Sequence, residues 1–232
     1  MKKIIILILI LYFSIVYGNK TPSQSEQRTL IKKITVQEIK KRNKYRFITF
    51  TRKTHMKIYD YKKNKLLDVI ESTVKITRNL KTKKKKTTVI FFKKNGKVQP
   101  KDKYKEGKET KFIDVFSPEG LKEYTLKFDG YKKIGKVKTY VIKIIPKRIT
   151  AQHLKGTMYY DIKTMELIAL EGRPAKYSFP LKKLYSFVRL KNKGGISITK
   201  SSYMVMYIHV PFVFSHRKMV LSMTMYGHKL TP

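Results

Sequence analysis

Groups that could catalyse a reaction are few in this sequence and form no recognisable constellation. The chain has five histidines and 15 carboxylates but no cysteine, which excludes a thiolate nucleophile. No histidine stands in an HExxH or His-x-His spacing, no glycine-rich phosphate loop is present, and His209 and His216 favour ordinary strand and turn positions. Glu166 and Glu171 fall on opposite faces of a predicted strand. The sequence therefore predicts no enzyme, no metal site and no cofactor.

Methionine and aromatic residues carry a stronger signal than the polar ones. Five of the nine methionines fall between residues 204 and 225, in a chain with 16 tyrosines and 12 phenylalanines. Flexible thioethers on a strand provide an adaptable apolar surface that can re-pack around different ligands. The alternative interpretation is that these residues form an ordinary barrel core.

The charge of the chain is extreme, with a formal net charge of +39 at pH 7. A field of this size attracts polyanions and anionic lipid headgroups. Only nine of the 54 basic residues are arginine, although sequence-specific nucleic-acid sites depend on the bidentate arginine fork. We therefore expect a solvated lysine surface that attracts anions non-specifically, an anionic membrane surface among them, and no specific nucleic-acid partner.

The N-terminus has the features of a secretory signal peptide over residues 1–18. Lys2 and Lys3 precede an unbroken apolar run over residues 4–13, and small residues follow up to Gly18. This order predicts export from the cytoplasm, with cleavage after about Gly18. The run is shorter than the about 20 residues that span a bilayer, and an uncleaved N-terminal anchor is the alternative.

The rest of the chain predicts a leader, a helix and many strands. Residues 19–29 are polar and predict a flexible leader, and residues 30–232 predict a single domain. Apolar residues among lysines over 30–43 partly fit an amphipathic helix, and period-two alternation is typical of strands from about residue 45. The predicted strands are 65–71, 73–79, 87–94, 121–129, 137–145, 155–160, 166–171, 183–191, 200–210 and 217–226.

Turn signals separate these strands. The basic run 81–86 predicts a hairpin tip or an exposed strand end, and the polar segment 97–109 predicts a mobile loop. Turns at this spacing favour an antiparallel sandwich or barrel, and strands with one lysine-rich face indicate a single curved sheet with a solvated outside and an apolar inside. The predicted tight turns lie at Asn95-Gly96, Gly135, Asp161–Thr164 and Gly194-Gly195.

Residues 156–176 resemble a motif of the LolA-like outer-membrane lipoprotein-sorting proteins. The family pattern is a strand, a turn and a strand that read G-x-[IMV]-[WY]-x-D, then a threonine, an aliphatic residue and E-G. Tyr159 stands where many relatives carry tryptophan. The resemblance covers most of 30–230 and is strongest from residue 121 onward. The matching residues are Gly156, Tyr159, Asp161, Thr164, Ile168, Glu171 and Gly172.

The resemblance implies a mainly β (α+β) fold, in which a strongly curved antiparallel sheet forms a half-open barrel with helical lid segments. It also implies a periplasmic carrier or receptor whose concave apolar groove shelters the acyl chains of lipoproteins or lipids, without catalysis or a cofactor. The Asp161 motif is expected to shape a turn and not to bind a ligand. The candidate residues of the hydrophobic ligand groove are Tyr124, Leu126, Phe128, Tyr140, Ile142, Ile144, Met158, Tyr160, Met204, Met206, Met219, Leu221, Met223 and Met225.

Two other functions stay open on the sequence alone. The first is a non-catalytic envelope binding module whose lysine-rich surface docks on anionic lipid headgroups or polyanions. The second is an exported enzyme, which a polar cavity with converging histidine and carboxylate groups would indicate. A packed interior without any groove would contradict the carrier.

Overall fold

Strands make up most of the structure, a computed structural model that describes residues 22–41, 44–107, 112–210 and 215–232. Within these ranges there are two α-helices, α1 (Gln24–Lys41) and α2 (Pro118–Glu123), and one 3-10 helix, Lys101–Lys103. The strands are β1 (Phe47–Asp60), β2 (Lys65–Asn79), β3 (Lys85–Lys94), β4 (Lys97–Val98), β5 (Tyr124–Ile134), β6 (Val137–Pro146), β7 (Leu154–Asp161), β8 (Leu167–Pro174), β9 (Leu181–Lys193), β10 (Ile196–Val210) and β11 (Ser215–Thr231).

All eleven strands belong to one antiparallel sheet. Their order is β4-β3-β2-β1-β11-β10-β9-β8-β7-β6-β5, so β4 and β5 are its two edges and the described sheet is open. Neighbours in the sheet are neighbours in sequence except at one place, where β1 pairs with β11 and Phe47 lies opposite Thr231. The prediction of a mainly β fold with an antiparallel sheet is confirmed.

The register of the strands defines two faces of this sheet. Residues directly opposite each other in an antiparallel pair point to the same face, so one row of opposite residues can be followed from β5 to β3. Because α1 packs on the face that carries this row, we call it the helix face. The row consists of Phe128, Ile142, Met158, Leu170, Val188, Ser202, Met223, Thr54, Ser72 and Phe92.

Both helices border one end of the helix face. In α1, Ile34 is buried and Leu30 packs beside it against β5 and its neighbours. The hydroxyl of Ser117 accepts a hydrogen bond of 2.9 Å from the Gly120 N–H and Pro118 opens the helix, which is a favourable start for α2. The buried core here consists of Ile34, Val115, Phe116, Tyr124, Phe128, Ile142, Ile144, Met158 and Tyr160.

Several predicted boundaries differ from the structure, most of all at the leader and in β2. The helix begins at Gln24, so residues 24–29, which the sequence assigns to a leader, are helical. The predicted strands 65–71 and 73–79 are one continuous strand, β2, because Ser72 continues the ladder opposite Thr54. The predicted signal peptide 1–18 lies outside the described residues.

The predicted turns at Asn95-Gly96, Gly135 and Gly194-Gly195 join consecutive strands of the sheet. The Asp161 carboxylate accepts hydrogen bonds from the Lys163 N–H at 2.7 Å and the Thr164 N–H at 3.4 Å. An aspartate that binds the backbone two and three residues later fixes a turn. These contacts agree with the expected structural role of Asp161.

Candidate functional site

The first part of the predicted groove is a packed core. Eight of the fourteen candidate residues lie on β5, β6 and β7, and they form one cluster with α1 and the segment 113–116. Leu126 and Tyr140 are partly buried, and the other six are almost completely buried. The Tyr124 hydroxyl donates to the Ile113 carbonyl at 3.2 Å and accepts from the Leu154 N–H at 2.9 Å. This end of the helix face is therefore filled by the chain itself.

The buried tyrosines of this core are uncharged at neutral pH. The side chain of Tyr160 is completely buried, and burial raises the pKa of its hydroxyl well above the ordinary value. Burial likewise raises the pKa of Tyr124. Both phenols stay protonated, so the filled end offers apolar surface and no charge.

The second part of the predicted groove is a half-buried surface in the middle of the sheet. The other six candidates lie on β10 and β11, on the same helix face, and each is only partly buried. Three further apolar residues join them through the register: Met56 lies opposite Leu221, Ile58 opposite Met219, and Leu184 opposite Met206. We call this surface the methionine patch. Its members are Met56, Ile58, Leu184, Met204, Met206, Met219, Leu221, Met223 and Met225.

A segment that we call the strap, residues 99–107, covers the third part of the helix face. It follows β4, and the Gln99 N–H donates to the Phe92 carbonyl at 2.9 Å. The Tyr104 ring packs edge-on against Phe92, with 5.6 Å between ring centroids. Of the predicted mobile loop 97–109, residues 97–98 form β4 and the strap contacts β3 and β1, while residues 108–109 lie outside the described residues.

A carboxylate fastens the strap. Glu106 accepts hydrogen bonds from Arg52 at 3.0 Å and from the Thr87 hydroxyl at 2.9 Å, and it pairs with Lys85 at 3.1 Å. Partial burial alone would raise the pKa of Glu106, but the bonds from Thr87 and Lys85 and the charge of Arg52 hold it below its ordinary value. The carboxylate is therefore ionised at neutral pH and the strap is ion-paired to β1 and β3.

The three parts follow one another along the sheet. The helix-covered core occupies β5 to β8, the methionine patch occupies β9, β10, β11 and β1, and the strap lies over β1 to β3. A half-buried apolar surface between two covered regions is suited to an apolar ligand, because such a ligand would complete its burial.

The opposite face has its own small core and many partly exposed aromatics. Tyr159, Val141 and Ala169 are buried together there, and the Lys132 ammonium lies 5.3 Å from the centre of the Tyr159 ring. Burial and a hydrogen bond with Glu171 raise the pKa of Tyr159. The consecutive residues Tyr159 and Tyr160 are thus buried on opposite faces, as period two requires.

One polar cluster brings a histidine, a carboxylate and a hydroxyl together. The Thr150 hydroxyl lies 2.6 Å from His153 Nδ1, and His153 Nε2 lies 3.1 Å from Glu123. Arg148 also donates two hydrogen bonds to the Glu123 carboxylate, at 2.6 and 2.8 Å. The hydrogen bonds from Arg148, with a smaller contribution from His153, hold the pKa of Glu123 below its ordinary value. Since Thr150 and His153 belong to one turn and the carboxylate is held by Arg148, the cluster ties the β6–β7 connection to the end of α2.

No group of three or more histidine or acidic side chains in the described part of the chain could hold a metal ion. No helix within those ranges is long and apolar enough to cross a membrane.

The architecture is similar to several solved bacterial structures. A DUF1329 family protein from Desulfovibrio piger shares 11% identity and a TM-score of 0.43, over 86% of this chain and 92% of that chain. A putative outer membrane lipoprotein-sorting protein domain from Vibrio parahaemolyticus is 8% identical, with a TM-score of 0.42, and the match covers 90% of this chain and 93% of that chain. A LolA superfamily protein from Nitrosomonas europaea is 11% identical, with a TM-score of 0.38, and the match covers 87% of this chain and 93% of that chain.

Two of these structures are a lipoprotein-sorting protein domain and a LolA superfamily protein, which is the kind of protein that the motif at residues 156–176 resembles. No protein-family model matches the sequence, and no curated protein matches it significantly. Because the structural likeness is loose, a functional assignment has to rest on the geometry of the sheet itself.

Proposed function

We propose that this protein is a periplasmic carrier or receptor that shelters the acyl chains of lipoproteins or lipids on the methionine patch. In this proposal the sheet curves around the ligand as a half-open barrel, and α1 acts as a lid over one side. The observation that carries the proposal is the half-burial of six candidate residues between a filled core and a fastened strap.

The chemistry of the patch fits an acyl chain. Each methylene group that leaves water contributes about 0.8 kcal/mol, so a chain of ten or so methylenes could provide several kcal/mol even after ordering costs. Methionine side chains adapt to chains of different length and shape because they are unbranched and flexible. No polar group is needed to fix the ligand, which agrees with the absence of a catalytic constellation in the sequence.

The proposed location follows from the N-terminal sequence. A charged start, a short apolar run and small residues up to Gly18 predict export, and acyl-modified proteins need a protected passage through an aqueous envelope compartment. Two of the structural neighbours are a putative lipoprotein-sorting domain and a LolA superfamily protein, and those assignments are consistent with the proposal.

The test is to identify what the protein carries. The protein would be purified from the envelope fraction of the cells that export it, and its bound molecules would be extracted and analysed by mass spectrometry. The proposal predicts acyl lipid or lipoprotein in near-stoichiometric amount. Protein that is free of acyl groups and that also fails to bind an added fluorescent fatty acid would contradict it.

A further inference from the structure

The β2–β3 hairpin presents the densest basic cluster of the described chain. Five of the six residues 81–86 are lysine. Lys81, Lys83, Lys84 and Lys86 are exposed, and none of the four has an acidic partner among the described residues. We call residues 79–86 the lysine hairpin.

The backbone of the lysine hairpin is fixed by its own hydrogen bonds. The Asn79 side-chain oxygen accepts from the Lys81 N–H and the Thr82 N–H, both at 2.9 Å, and the Asn79 N–H donates to the Lys84 carbonyl at 2.8 Å. Lys83 has the left-handed conformation, with φ of 61°, that such a turn requires. The ammonium groups therefore extend from a preformed turn, which lowers the ordering cost of binding.

A cleft of about 330 Å³ lies beside this turn. The residues that line it are Phe47, Thr77, Asn79, Thr82, Lys84, Lys85 and Lys86. Lysine keeps an apolar stem along a surface while its charge reaches solvent. The cleft thus combines apolar walls with positive charge from the surrounding lysines, as a lipid headgroup and its glycerol would require.

We propose that the lysine hairpin docks this protein on the surface of an anionic phospholipid bilayer. A cluster of four or more lysines beside an anionic membrane gains about 1 kcal/mol per residue. Specific nucleic-acid recognition would instead use arginine forks or exposed aromatic platforms, and the hairpin residues 79–86 contain neither. The cleft lies on the face away from the methionine patch, because Phe47, Thr77 and Asn79 alternate with the helix-face residues of β1 and β2. Docking at the hairpin would therefore hold the protein at the membrane without covering the patch.

The experiment compares two variants with the same loss of charge. The first is Lys81→Gln, Lys83→Asn, Lys84→Gln and Lys86→Gln, in which asparagine tolerates the left-handed position. The second changes exposed lysines at the opposite end of the sheet, Lys62, Lys63, Lys97 and Lys101, to Gln. Co-sedimentation would be measured with phosphatidylcholine vesicles that contain or lack phosphatidylglycerol, at about 0.1 M and about 1 M salt. Circular dichroism would verify that both variants are folded.

The proposal predicts that the wild type binds only the vesicles with phosphatidylglycerol and only at the lower salt concentration. The hairpin variant should lose roughly tenfold or more in vesicle affinity, while the second variant changes by about twofold or less. An equal loss in both variants would show that net charge alone attracts the membrane, and would overturn the proposal. Displacement by free glycerol phosphate, or tighter binding to heparin or duplex DNA than to vesicles, would overturn it as well.

This outcome can be separated from that of the acyl-carrier proposal. Binding of a soluble fluorescent fatty acid to the methionine patch requires no membrane. The hairpin variant should therefore retain it.

Discussion

Met206 on β10 lies directly opposite Met219 on β11, and both side chains are half-buried on the helix face of the sheet. The next pair on this face is Met204 opposite Leu221. Cross-strand neighbours on one face have Cβ atoms about 4.5–5.5 Å apart, so the four side chains form one continuous apolar surface. This surface is the central part of the methionine patch.

A polar substitution of this pair should weaken acyl binding. Met206→Gln with Met219→Gln keeps the side-chain length but places two amides where an apolar chain would lie. We expect the affinity for a fluorescent fatty acid to fall roughly tenfold or more, which corresponds to about 1.4 kcal/mol. The matched control is Val205→Gln with Val220→Gln, an opposite pair on the other face. Equal losses of affinity in the two double variants would contradict a ligand on the helix face.

The glycines of the 156–176 motif should differ sharply in their tolerance of alanine. Gly156 and Gly172 lie opposite each other on β7 and β8. A Cβ at Gly156 would collide with the backbone carbonyl of Glu171, whereas one at Gly172 would meet the Leu154 side chain at 2.8 Å. Since a side chain can move and a ladder carbonyl cannot, Gly156→Ala should lower the free energy of unfolding by about 2–4 kcal/mol and Gly172→Ala by about 1 kcal/mol. Urea denaturation would measure both, and a milder effect at Gly156 would refute this explanation.

Loss of the Glu106 carboxylate should release the strap. Glu106→Gln leaves Arg52 and Lys85 without their common counter-ion, and because the group is partly exposed we expect a loss of only about 1 kcal/mol. Limited proteolysis should cut residues 99–107 faster. Asp102→Asn, an exposed change in the same segment, is the control and should leave proteolysis unchanged.

The contribution of Glu106 should also depend on pH. Its pKa is lower in the folded protein than the ordinary value of 4.5, so its contribution is present above pH 4.5 and is lost as pH falls through the folded pKa. The difference in stability between wild type and Glu106→Gln should therefore shrink in acid. A constant difference from pH 7 to pH 3 would contradict the ion pairs.

His228 should make the protein less stable at mildly acidic pH. Its ring is almost completely buried and stacks on Phe50 with 5.4 Å between centroids. Burial, together with the charge of Lys191, lowers its pKa from 6.5. Because the unfolded chain then binds more protons, stability falls as pH drops below 6.5 towards the folded pKa. His228→Phe should flatten the dependence of Tm on pH between 7 and 5, and the exposed control His55→Gln should not.

Nine of the eleven described strands, all except β1 and β4, could be predicted with their faces from local alternation. Within each strand the groove candidates are alternate residues and therefore share one face. The strand pairings place these sets side by side, so all fourteen candidates lie on the helix face. Alternation could not show which of these residues a helix covers. Tyr124 and Met158 are buried in the filled core whereas Met204 and Met219 stay half-buried, and this difference depends on where α1 packs.

Long-range partners account for what the sequence did not predict. Met56 joins the methionine patch only because β1 pairs with β11, at the far end of the chain. The strap was predicted to be mobile because it is polar, but its Glu106 finds Arg52 on β1, 54 residues away. His209 and His216, predicted to occupy ordinary strand and turn positions, lie opposite each other with 4.2 Å between ring centroids. Met56 and Glu106 contact segments that are distant in the sequence, so no local pattern specifies these contacts, whereas His209 and His216 lie on consecutive paired strands.

Oxidation of individual methionines by peroxide, followed by peptide mass spectrometry, tests the carrier most directly. Peroxide converts accessible methionine to the sulfoxide, and Met158, which is 2% exposed, reports on the integrity of the fold. With a saturating long-chain fatty acid, oxidation of Met204, Met206 and Met219 should slow several-fold while Met158 stays unoxidised in both samples. Unchanged oxidation of the three patch methionines in the presence of bound fatty acid would contradict the carrier mechanism.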